Sequence, residues 1–272
     1  MLIAAGVWFG YDERTPVLRG VDLPVPPERI AGILGPNGSG KTTLLRLLAG
    51  TRQPQRGTVT LDGEPLLKRS RAELARRMAV VPQETQLAFD YTVAEVAMMG
   101  RYPHLGAFQI EGPHDVVVVD EALSSTGTLH LKDRPYATLS GGEKQRVVIA
   151  SALAQIFRLK SETTEPIYLL LDEPTASLDL SYQLEVAALL KQLHKERGIG
   201  IVISTHDLSL AATLCDTLAL IRKGTVAASG SVDDVLTPAS LRSVYGVEAE
   251  ILRHASGQRV VVPVKRTPME RP

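Results

Sequence analysis

"GPNGSGKTT", residues Gly35 to Thr43, lies between a short apolar run and a leucine-rich run, and it decides how the chain is expected to fold. Residues Gly35, Gly40, Lys41 and Thr42 fill every fixed place of the pattern G-x-x-x-x-G-K-[ST]. Glycines let backbone N–H groups turn inward around an anion at the positive end of the following helix. The stretch therefore predicts a phosphate-binding loop, since a plain glycine turn would need neither the lysine nor the threonine in those places.

The loop is expected to divide nucleotide binding between side chains and backbone. Lys41 is expected to reach the β- and γ-phosphates, and Thr42 to bind a magnesium ion. The backbone around them is expected to surround the phosphates at Gly35, Pro36, Asn37, Gly38, Ser39, Gly40, Thr42 and Thr43.

The runs on either side of the loop predict a strand and a helix. Residues 29–35, "RIAGILG", are almost continuously apolar, as in a strand that is buried on both faces. Residues 42–50, "TTLLRLLAG", have leucines at helical spacing and end at Gly50. Similar apolar runs predict further buried strands at "MAVV" (78–81), "IYLLL" (167–171), "GIVIS" (200–204) and "TLALI" (217–221). Because segments long enough for helices separate these runs, the pattern favours a parallel α/β sheet.

Three other regions have patterns of their own. The first sixty residues alternate in short segments punctuated by glycine and proline, which predicts strands and tight turns. Residues 86–159 are mainly helical by pattern, and we interpret "HDVVVVDEAL" (114–123) as helix although its four valines favour strand. The segment 247–264 alternates around Ser256 and Gly257, as in a terminal hairpin.

Composition limits the class of protein. The 272 residues, 44% of them hydrophobic, suffice for one large domain or two closely packed ones. Thirty basic residues balance thirty acidic ones, so the charge expected of a general nucleic-acid binder is missing, which leaves only a local basic patch. The single cysteine, Cys215, cannot form an internal disulfide, and its setting predicts a small hydrophobe on a helix face in a reducing, cytosolic compartment.

The same composition bears on membranes. No apolar run approaches the roughly 20 residues that span a bilayer, and the N-terminus lacks the pattern of a secretory signal. A role at a membrane would therefore depend on a partner.

A second motif, "IYLLLDEPT", ends an apolar strand with two carboxylates, Asp172 and Glu173. Successive side chains of a strand point in different directions, so the two groups can have two roles. Asp172 is expected to bind magnesium, directly or through water, and Glu173 to polarise a water molecule beside the γ-phosphate. Capping of the next helix is the structural alternative.

A third motif, "LSGGEKQR" (139–146), supports two interpretations equally when it is taken alone. Ser140 and Glu143 have the spacing of a capping box, which would only start a helix. Gly141 and Gly142 would expose backbone donors at the same helix N-terminus, which suits an anion.

Together "GPNGSGKTT", "LSGGEKQR" and "LLLDEPTASLD", in this order, resemble the ATP-binding subunits of ABC transporters over nearly the whole chain. The resemblance implies one ABC ATPase domain, 1–272, with a P-loop NTPase core of mainly parallel sheet and an N-terminal antiparallel β subdomain in 1–85 and 160–272. An inserted α-helical subdomain, 86–159, would carry the signature motif. Two subunits would bind ATP head to tail, with Ser140, Gly141 and Gly142 at the γ-phosphate held by the partner.

The resemblance also implies roles for single residues. Gln83 looks like the glutamine that contacts magnesium or water and senses the membrane partner. His206 looks like the switch histidine at the γ-phosphate, and Asp179 lies in the loop that communicates across the dimer. Tyr11 is similar to the aromatic residue that stacks on adenine, although an aromatic residue there could equally belong to the core.

The sequence departs from the family pattern in two places. Glu28 and Arg29 follow two prolines where a glycine is usual, which should alter only a turn. The stretch 157–166, "FRLKSETTEP", lengthens the connection before the acidic strand and is expected to form a polar surface loop.

Three softer similarities narrow the subfamily. "MMGRYPHLG" (98–106), "LDLSYQLEV" (178–186) and the end of the chain, 240–264, resemble the ATPases of importers for metal chelates. Ferric siderophores, heme and cobalamin are then the cargo classes, and the sequence does not choose among them. The expected partners are two membrane permeases and, indirectly, an extracytoplasmic chelate-binding protein, with the subunit peripheral on the cytoplasmic face of the inner membrane.

Two alternatives share the catalytic motifs. An exporter or lipoprotein-extracting ATPase would carry all of them. A soluble ABC protein acting on DNA or ribosomes usually has long coiled coils or two cassettes, and the sequence shows neither a sustained heptad pattern nor a second phosphate loop. No nucleic-acid partner is therefore expected.

Overall fold

The structure of the chain, a computed structural model, describes residues 1–12, 14–85, 87–157, 165–176, 178–255 and 259–267. The strands are β1 (Leu2–Gly10), β2 (Pro16–Val25), β3 (Ile30–Leu34), β4 (Arg56–Leu61), β5 (Glu64–Pro65), β6 (Met78–Val81), β7 (Tyr168–Asp172), β8 (Gly200–Thr205), β9 (Thr217–Arg222), β10 (Thr225–Ser231), β11 (Val247–Arg253) and β12 (Arg259–Arg266). The α-helices are α1 (Lys41–Leu48), α2 (Arg71–Ala75), α3 (Val93–Met98), α4 (Pro113–Ser125), α5 (Gly141–Ile156), α6 (Leu180–Arg197), α7 (Leu208–Leu214), α8 (Val232–Val235) and α9 (Pro238–Tyr245). Short 3-10 turns lie at Leu66–Lys68, Met99–His104, Leu129–Leu131 and Tyr136–Thr138.

The chain forms two compact units, Met1–Leu66 with Val202–Pro272, and Leu67–Ile201. The predicted subdomains, a core and a helical insertion at 86–159, have other bounds than these contact-based units. They stay a prediction. Among the described residues no helix is both long enough and apolar enough to cross a membrane.

The first unit contains an antiparallel sheet of order β2-β1-β4-β5. Buried residues of β1 and β2 face each other in pairs: Leu2 with Val25, Ala4 with Leu23, and Val7 with Val21. The alternation along β1, β2 and β4 places one face of the sheet on the core, which is why these segments form strands. The antiparallel N-terminal region is confirmed.

The first unit also contains a sheet with the order β10-β9-β3-β8, in which β3 and β9 run parallel. All five residues of β3 are buried, as its apolar sequence predicted. A Cβ atom on Gly32 would lie 2.8 Å from Sγ of Cys215 and 2.6 Å from Cδ2 of Leu218, so only glycine fits there. Cys215 is buried as predicted, but it follows the end of α7 at Leu214 instead of lying on the helix face, because the chain turns there towards β9.

In the second unit β6 and β7 run parallel, with Val81 opposite Leu171. The backbone N–H of Gly200, at the start of β8, donates to the carbonyl of Ile167, just before β7. The helices α3, α4 and α5 pack against one another in this unit. A buried ion pair, Arg101 to Asp115 at 2.9 Å, joins the 3-10 turn after α3 to the first turn of α4.

The valine run of 114–123 is helical, as we predicted, and lies within α4. Val118 and Val119 are buried, whereas Val116 and Val117 are exposed, so the run has a helical period of burial. Packing against α5 decides the structure of this segment over the strand propensity of valine. Pro113 at the first helical position and the Asp115 side chain, which accepts from the N–H of Gly112, start the helix.

The predicted terminal hairpin is present as β11 and β12, which pair antiparallel. The tip residues Ser256 and Gly257, on which the prediction was centred, lie outside the described residues, as does 158–164 of the expected polar surface loop. Asp233 of α8 forms ion pairs with Arg259 and Arg253, which hold the hairpin to α8. The hydrogen bond from the Arg259 guanidinium lowers the pKa of Asp233.

Candidate functional site

The glycine loop connects β3 to α1, as the sequence predicts for a phosphate-binding loop. Gly38 and Gly40 have φ angles of 75° and 108°, which residues with a Cβ atom rarely adopt. A Cβ atom on Gly35 would lie 2.3 Å from the carbonyl oxygen of Ile221, and one on Gly40 would lie 2.7 Å from Cδ2 of Leu18. Backbone conformation and close packing therefore both require glycine here.

The interior of the loop is polar and holds a buried cation. Lys41 is 5% exposed, and its Nζ atom donates to the carbonyl oxygens of Gly35 at 3.0 Å and Pro36 at 3.5 Å. The hydroxyl of Ser39 is buried and has no hydrogen-bond partner among the described residues. A buried ammonium beside an unsatisfied hydroxyl, in a loop of backbone N–H groups, fits an oligophosphate.

The turn between β9 and β10 supports the loop from outside. The backbone N–H of Gly224 donates to the carbonyl of Ser39 at 3.1 Å, and the N–H of Arg19 donates to the carbonyl of Gly224 at 2.8 Å. A Cβ atom on Gly224 would lie 2.2 Å from the carbonyl oxygen of Val17. The sequence analysis missed this support, and no local pattern signals it, since Ser39 and Gly224 are far apart in the chain.

Tyr11 lies beside the first turn of α1. Its hydroxyl is 3.3 Å from Oγ1 of Thr43 and accepts a hydrogen bond from Nη1 of Arg46 at 3.3 Å. The ring meets Phe9 edge to face at 5.1 Å and is 57% exposed. This exposure argues against the core position that the sequence left open, and it leaves a ring face available for stacking.

His206 follows β8 directly and is exposed. The next residue, Asp207, caps α7 by accepting hydrogen bonds from the N–H groups of Ser209 and Leu210 at 2.8 and 3.0 Å. Because β3 and β8 are neighbours in the first unit, the loop after β3 and His206 follow neighbouring strands. This placement is the one expected for groups that share a ligand at a sheet edge.

In the second unit, Asp172 is the last residue of β7 and is 8% exposed. Glu173 follows with a φ angle of 47°, an uncommon conformation for a residue with a side chain. The backbone therefore turns away from the strand direction between the two carboxylates. Strained residues of this kind cluster at functional sites.

The structural alternative for the two carboxylates, capping of the next helix, is wrong. Asp179 caps α6, and its Oδ1 accepts from the backbone N–H of Tyr182 at 3.1 Å. Asp172 and Glu173 lie well before this cap, at the end of β7.

Gln83 is exposed and lies two residues after the end of β6. Because β6 and β7 run parallel, their carboxyl ends meet at one edge of the strand pair. Gln83, Asp172 and Glu173 thus follow neighbouring strand ends in the second unit.

The signature motif starts α5 through a complete capping box. The Ser140 hydroxyl accepts from the N–H of Glu143 at 3.3 Å, and the Glu143 carboxylate accepts from the N–H of Ser140 at 2.8 Å. The hydrogen bond from the Ser140 N–H is the main cause of the lowered pKa of Glu143. Gly141 is exposed and Gly142 is buried.

The same reciprocal box occurs at other helices, including α8. Ser70 with Glu73 starts α2, and Thr92 with Glu95 starts α3. The box is therefore a general way of starting helices in this chain. What distinguishes the signature motif from the other boxes is its two glycines.

The predicted residues fall into both units. The first unit contains Tyr11, Gly35, Pro36, Asn37, Gly38, Ser39, Gly40, Lys41, Thr42, Thr43 and His206. The second contains Gln83, Ser140, Gly141, Gly142, Asp172, Glu173 and Asp179. Among the described residues no group of three or more His, Cys, Asp or Glu side chains could hold a metal by itself. A magnesium ion with few protein ligands and several from a phosphate is compatible with this set.

Comparisons with known proteins agree with the geometry. A family model described as ABC transporter matches residues 18–176. The hemin import ATP-binding protein HmuV of Bordetella avium (strain 197N) is 43% identical over 239 residues, which cover 88% of this chain and 89% of that protein.

Solved structures agree as well. One, described as a metal-chelate type ABC transporter in an inward-facing conformation, has a TM-score of 0.82 and 26% identity and covers 97% of both chains. A dimeric bacterial ABC transporter cassette has a TM-score of 0.71 and 26% identity and covers 85% of this chain and 99% of that one.

These likenesses confirm the resemblance and the fold class that the three motifs predicted. The chain belongs to the ABC transporter family, as an ATP-binding subunit that hydrolyses ATP.

Proposed function

We propose that the chain energises the import of heme through partner membrane permeases. Among the three chelate classes that the sequence left open, heme is favoured by one observation, the 43% identity to a hemin import ATP-binding protein over 88% of the chain. The likeness to a metal-chelate type transporter over 97% of the chain supports a metal chelate as cargo. The import named for the HmuV relative supports import over export.

The phosphate loop supplies the binding of ATP in this proposal. Lys41 is already fixed with its ammonium inside the loop, so little reorganisation is needed when it changes partners from the Gly35 and Pro36 carbonyls to phosphate oxygens. The Ser39 hydroxyl, buried without a partner among the described residues, is a further donor for a phosphate oxygen. Tyr11 offers an exposed ring face to the adenine.

Magnesium would be held by the hydroxyl of Thr42 and the carboxylate of Asp172, with Gln83 contacting the ion or a water bound to it. When bound, the ion would neutralise charge on the β- and γ-phosphates. Asp172 is buried at a strand end, which restricts the directions its carboxylate can take.

Glu173 and His206 take the roles of water activator and γ-phosphate contact. Asp172 is the last residue of β7, whereas Glu173 lies just past it in a left-handed backbone conformation. Glu173 would accept hydrogen bonds from the attacking water and orient it. His206, exposed at the end of β8, would donate to the γ-phosphate.

Two copies of the chain would form the catalytic assembly, head to tail. Ser140, Gly141 and Gly142 of one copy would bind the γ-phosphate held by the other, and Asp179 would lie in the loop that communicates between the copies. Two membrane permeases and an extracytoplasmic heme-binding protein complete the proposed complex, at the cytoplasmic face of the inner membrane. The dimeric cassette among the similar structures supports the pairing of two copies.

The cargo is tested by the ATPase activity of the complex reconstituted with its permeases. We expect stimulation when the cognate binding protein presents heme, and little when it presents a ferric siderophore or cobalamin. If another chelate stimulates the ATPase activity instead, that chelate is the cargo and heme is not. If no chelate changes the ATPase activity, metal-chelate import is contradicted.

The role of Glu173 is tested with Glu173→Gln. We expect kcat to fall by roughly 10²- to 10⁴-fold, because the amide cannot accept a proton from water. The Kd for ATP should stay nearly unchanged, and an ATP-bound dimer should accumulate in size-exclusion chromatography. Glu28→Gln, at an exposed position, is the matched control and should behave as wild type. Full turnover by Glu173→Gln would remove this residue from the role.

Adenine stacking is tested with Tyr11→Ala and Tyr11→Phe. Loss of a stacking ring costs about 1–3 kcal/mol, so Tyr11→Ala should raise the Kd for ATP roughly 5- to 150-fold. Tyr11→Phe keeps the ring and should bind nearly as wild type in fluorescence titrations. Equal weakening by both variants would assign the effect to the hydroxyl contacts with Thr43 and Arg46 instead.

The capping and ligand roles of Ser140 are separated by comparing Ser140→Ala with Ser70→Ala. Both serines cap a helix through the same reciprocal box, so each variant should lose about 1 kcal/mol in free energy of unfolding. Only Ser140→Ala should lower kcat for ATP hydrolysis, with ATP binding to the isolated subunit unchanged. Equal ATPase activities of the two variants would leave Ser140 with a capping role alone.

A further inference from the structure

The two glycines of the signature motif have different surroundings. A Cβ atom on Gly142 would lie 2.2 Å from Cδ1 of Tyr182, 2.6 Å from its Cγ and 2.7 Å from its Cε1. Such distances are far inside van der Waals contact, so the tyrosine ring lies directly on the Cα atom of Gly142. A Cβ atom on Gly141 would meet only Cδ2 of Leu178 at 3.7 Å, which is an ordinary contact.

Tyr182 is itself held in the first turn of α6. Its backbone N–H donates to Oδ1 of Asp179 at 3.1 Å. The neighbouring Gln183 donates from Nε2 to the carbonyl of Leu178 at 3.0 Å and towards the carbonyl of Thr175 at 3.5 Å. The first turn of α6 is therefore bonded to the segment that contains Asp179.

The same turn is also joined to α5 on the side of the signature motif. Glu185 of α6 forms an ion pair with Arg146 of α5. Tyr182 and Glu185 are three residues apart, so they lie on one face of α6. Gly142 and Arg146 are four residues apart and likewise share a face of α5. A ring contact and an ion pair thus join the two helices at neighbouring points.

We propose that Tyr182 is a positioning residue for ATP hydrolysis. Its ring packs against Gly142 and fixes the direction of the backbone N–H groups of Gly141 and Gly142, which have no acceptor within the helix because they lie in its first turn. This inference rests on the proposed role of Ser140, Gly141 and Gly142 at the partner's γ-phosphate. Because Asp179 caps the turn that carries Tyr182, a displacement of the Asp179 segment moves the signature tip of the same subunit with it.

The first test compares Tyr182→Ala with Tyr182→Phe in the reconstituted complex. Tyr182→Ala should lower kcat roughly ten- to a hundredfold, since small displacements of positioning groups have effects of this size. The Kd for ATP of the isolated subunit should not change, because the phosphate loop and Tyr11 are untouched. Tyr182→Phe keeps the ring on Gly142 and should restore activity.

The second test enlarges the side chain at position 142 and truncates the one at position 182. Gly142→Ala places a methyl group in the tyrosine ring and should abolish most turnover. Gly142→Ala with Tyr182→Ala removes the overlap and should raise kcat from that of Gly142→Ala to that of Tyr182→Ala alone, whereas Gly142→Ala with Tyr182→Phe should recover nothing. Gly141→Ala is the matched control, since its methyl group has room and its effect should be unchanged by Tyr182→Ala.

Thermal unfolding is recorded for every variant, so that loss of folding is separated from loss of turnover. If Gly142→Ala does not fold, the comparison of Tyr182→Ala with Tyr182→Phe still tests the positioning role of Tyr182. Wild-type turnover by Tyr182→Ala, or the same effect of Gly142→Ala with and without the tyrosine ring, would overturn the inference. An inactive wild-type complex, or an active Glu173→Gln variant, would instead count against the proposed function.

Discussion

A lysine ammonium buried against two backbone carbonyls is the constraint on which the phosphate loop depends. A buried charge is costly unless polar groups surround it, and Gly35 and Pro36 supply those groups to Lys41 at 3.0 and 3.5 Å. The loop must bend tightly to point these carbonyls at the Lys41 ammonium, which explains the left-handed φ angles of Gly38 and Gly40. The loop proposed to bind nucleotide is thus largely preformed, with the positive charge of Lys41 already in position.

The same loop is fixed from outside by residues that have no chemical role. The Ile221 carbonyl and the Leu18 side chain leave no space for a Cβ atom at Gly35 and Gly40. The N–H of Gly224 donates to the carbonyl of Ser39. Preorganisation of this kind resists motion of the loop, which suits catalysis by positioning and charge neutralisation.

The signature motif has a structural role and a proposed functional role at one helix tip. Its capping box, Ser140 with Glu143, is repeated at α2 and α3 and satisfies backbone donors there in the same way. What distinguishes α5 is the pair of glycines, one exposed and one pressed against Tyr182. Capping and anion binding, the two interpretations that the motif supports equally when taken alone, therefore do not exclude each other. Ser140 can cap α5 while the exposed Gly141 stays accessible to a ligand.

The sequence by itself determined the family, the phosphate loop, the parallel and antiparallel strands, and the positions of Asp172 and Glu173 at a strand end. These features are written locally, as glycine spacing, hydrophobic period and charged residues after apolar runs. Even the valine run of α4 was predictable as helix from its polar flanks, although its burial against α5 is what overrides the strand propensity. Only the tertiary structure showed that Tyr11 is exposed, that Asp179 caps α6, that Cys215 lies past the end of α7, and that Gly224 and Tyr182 press on the two glycine motifs. For Tyr11, Gly224 and Tyr182 the physical reason is that their contacts join residues tens to hundreds of positions apart, and a close approach between distant segments leaves no periodic trace in either one.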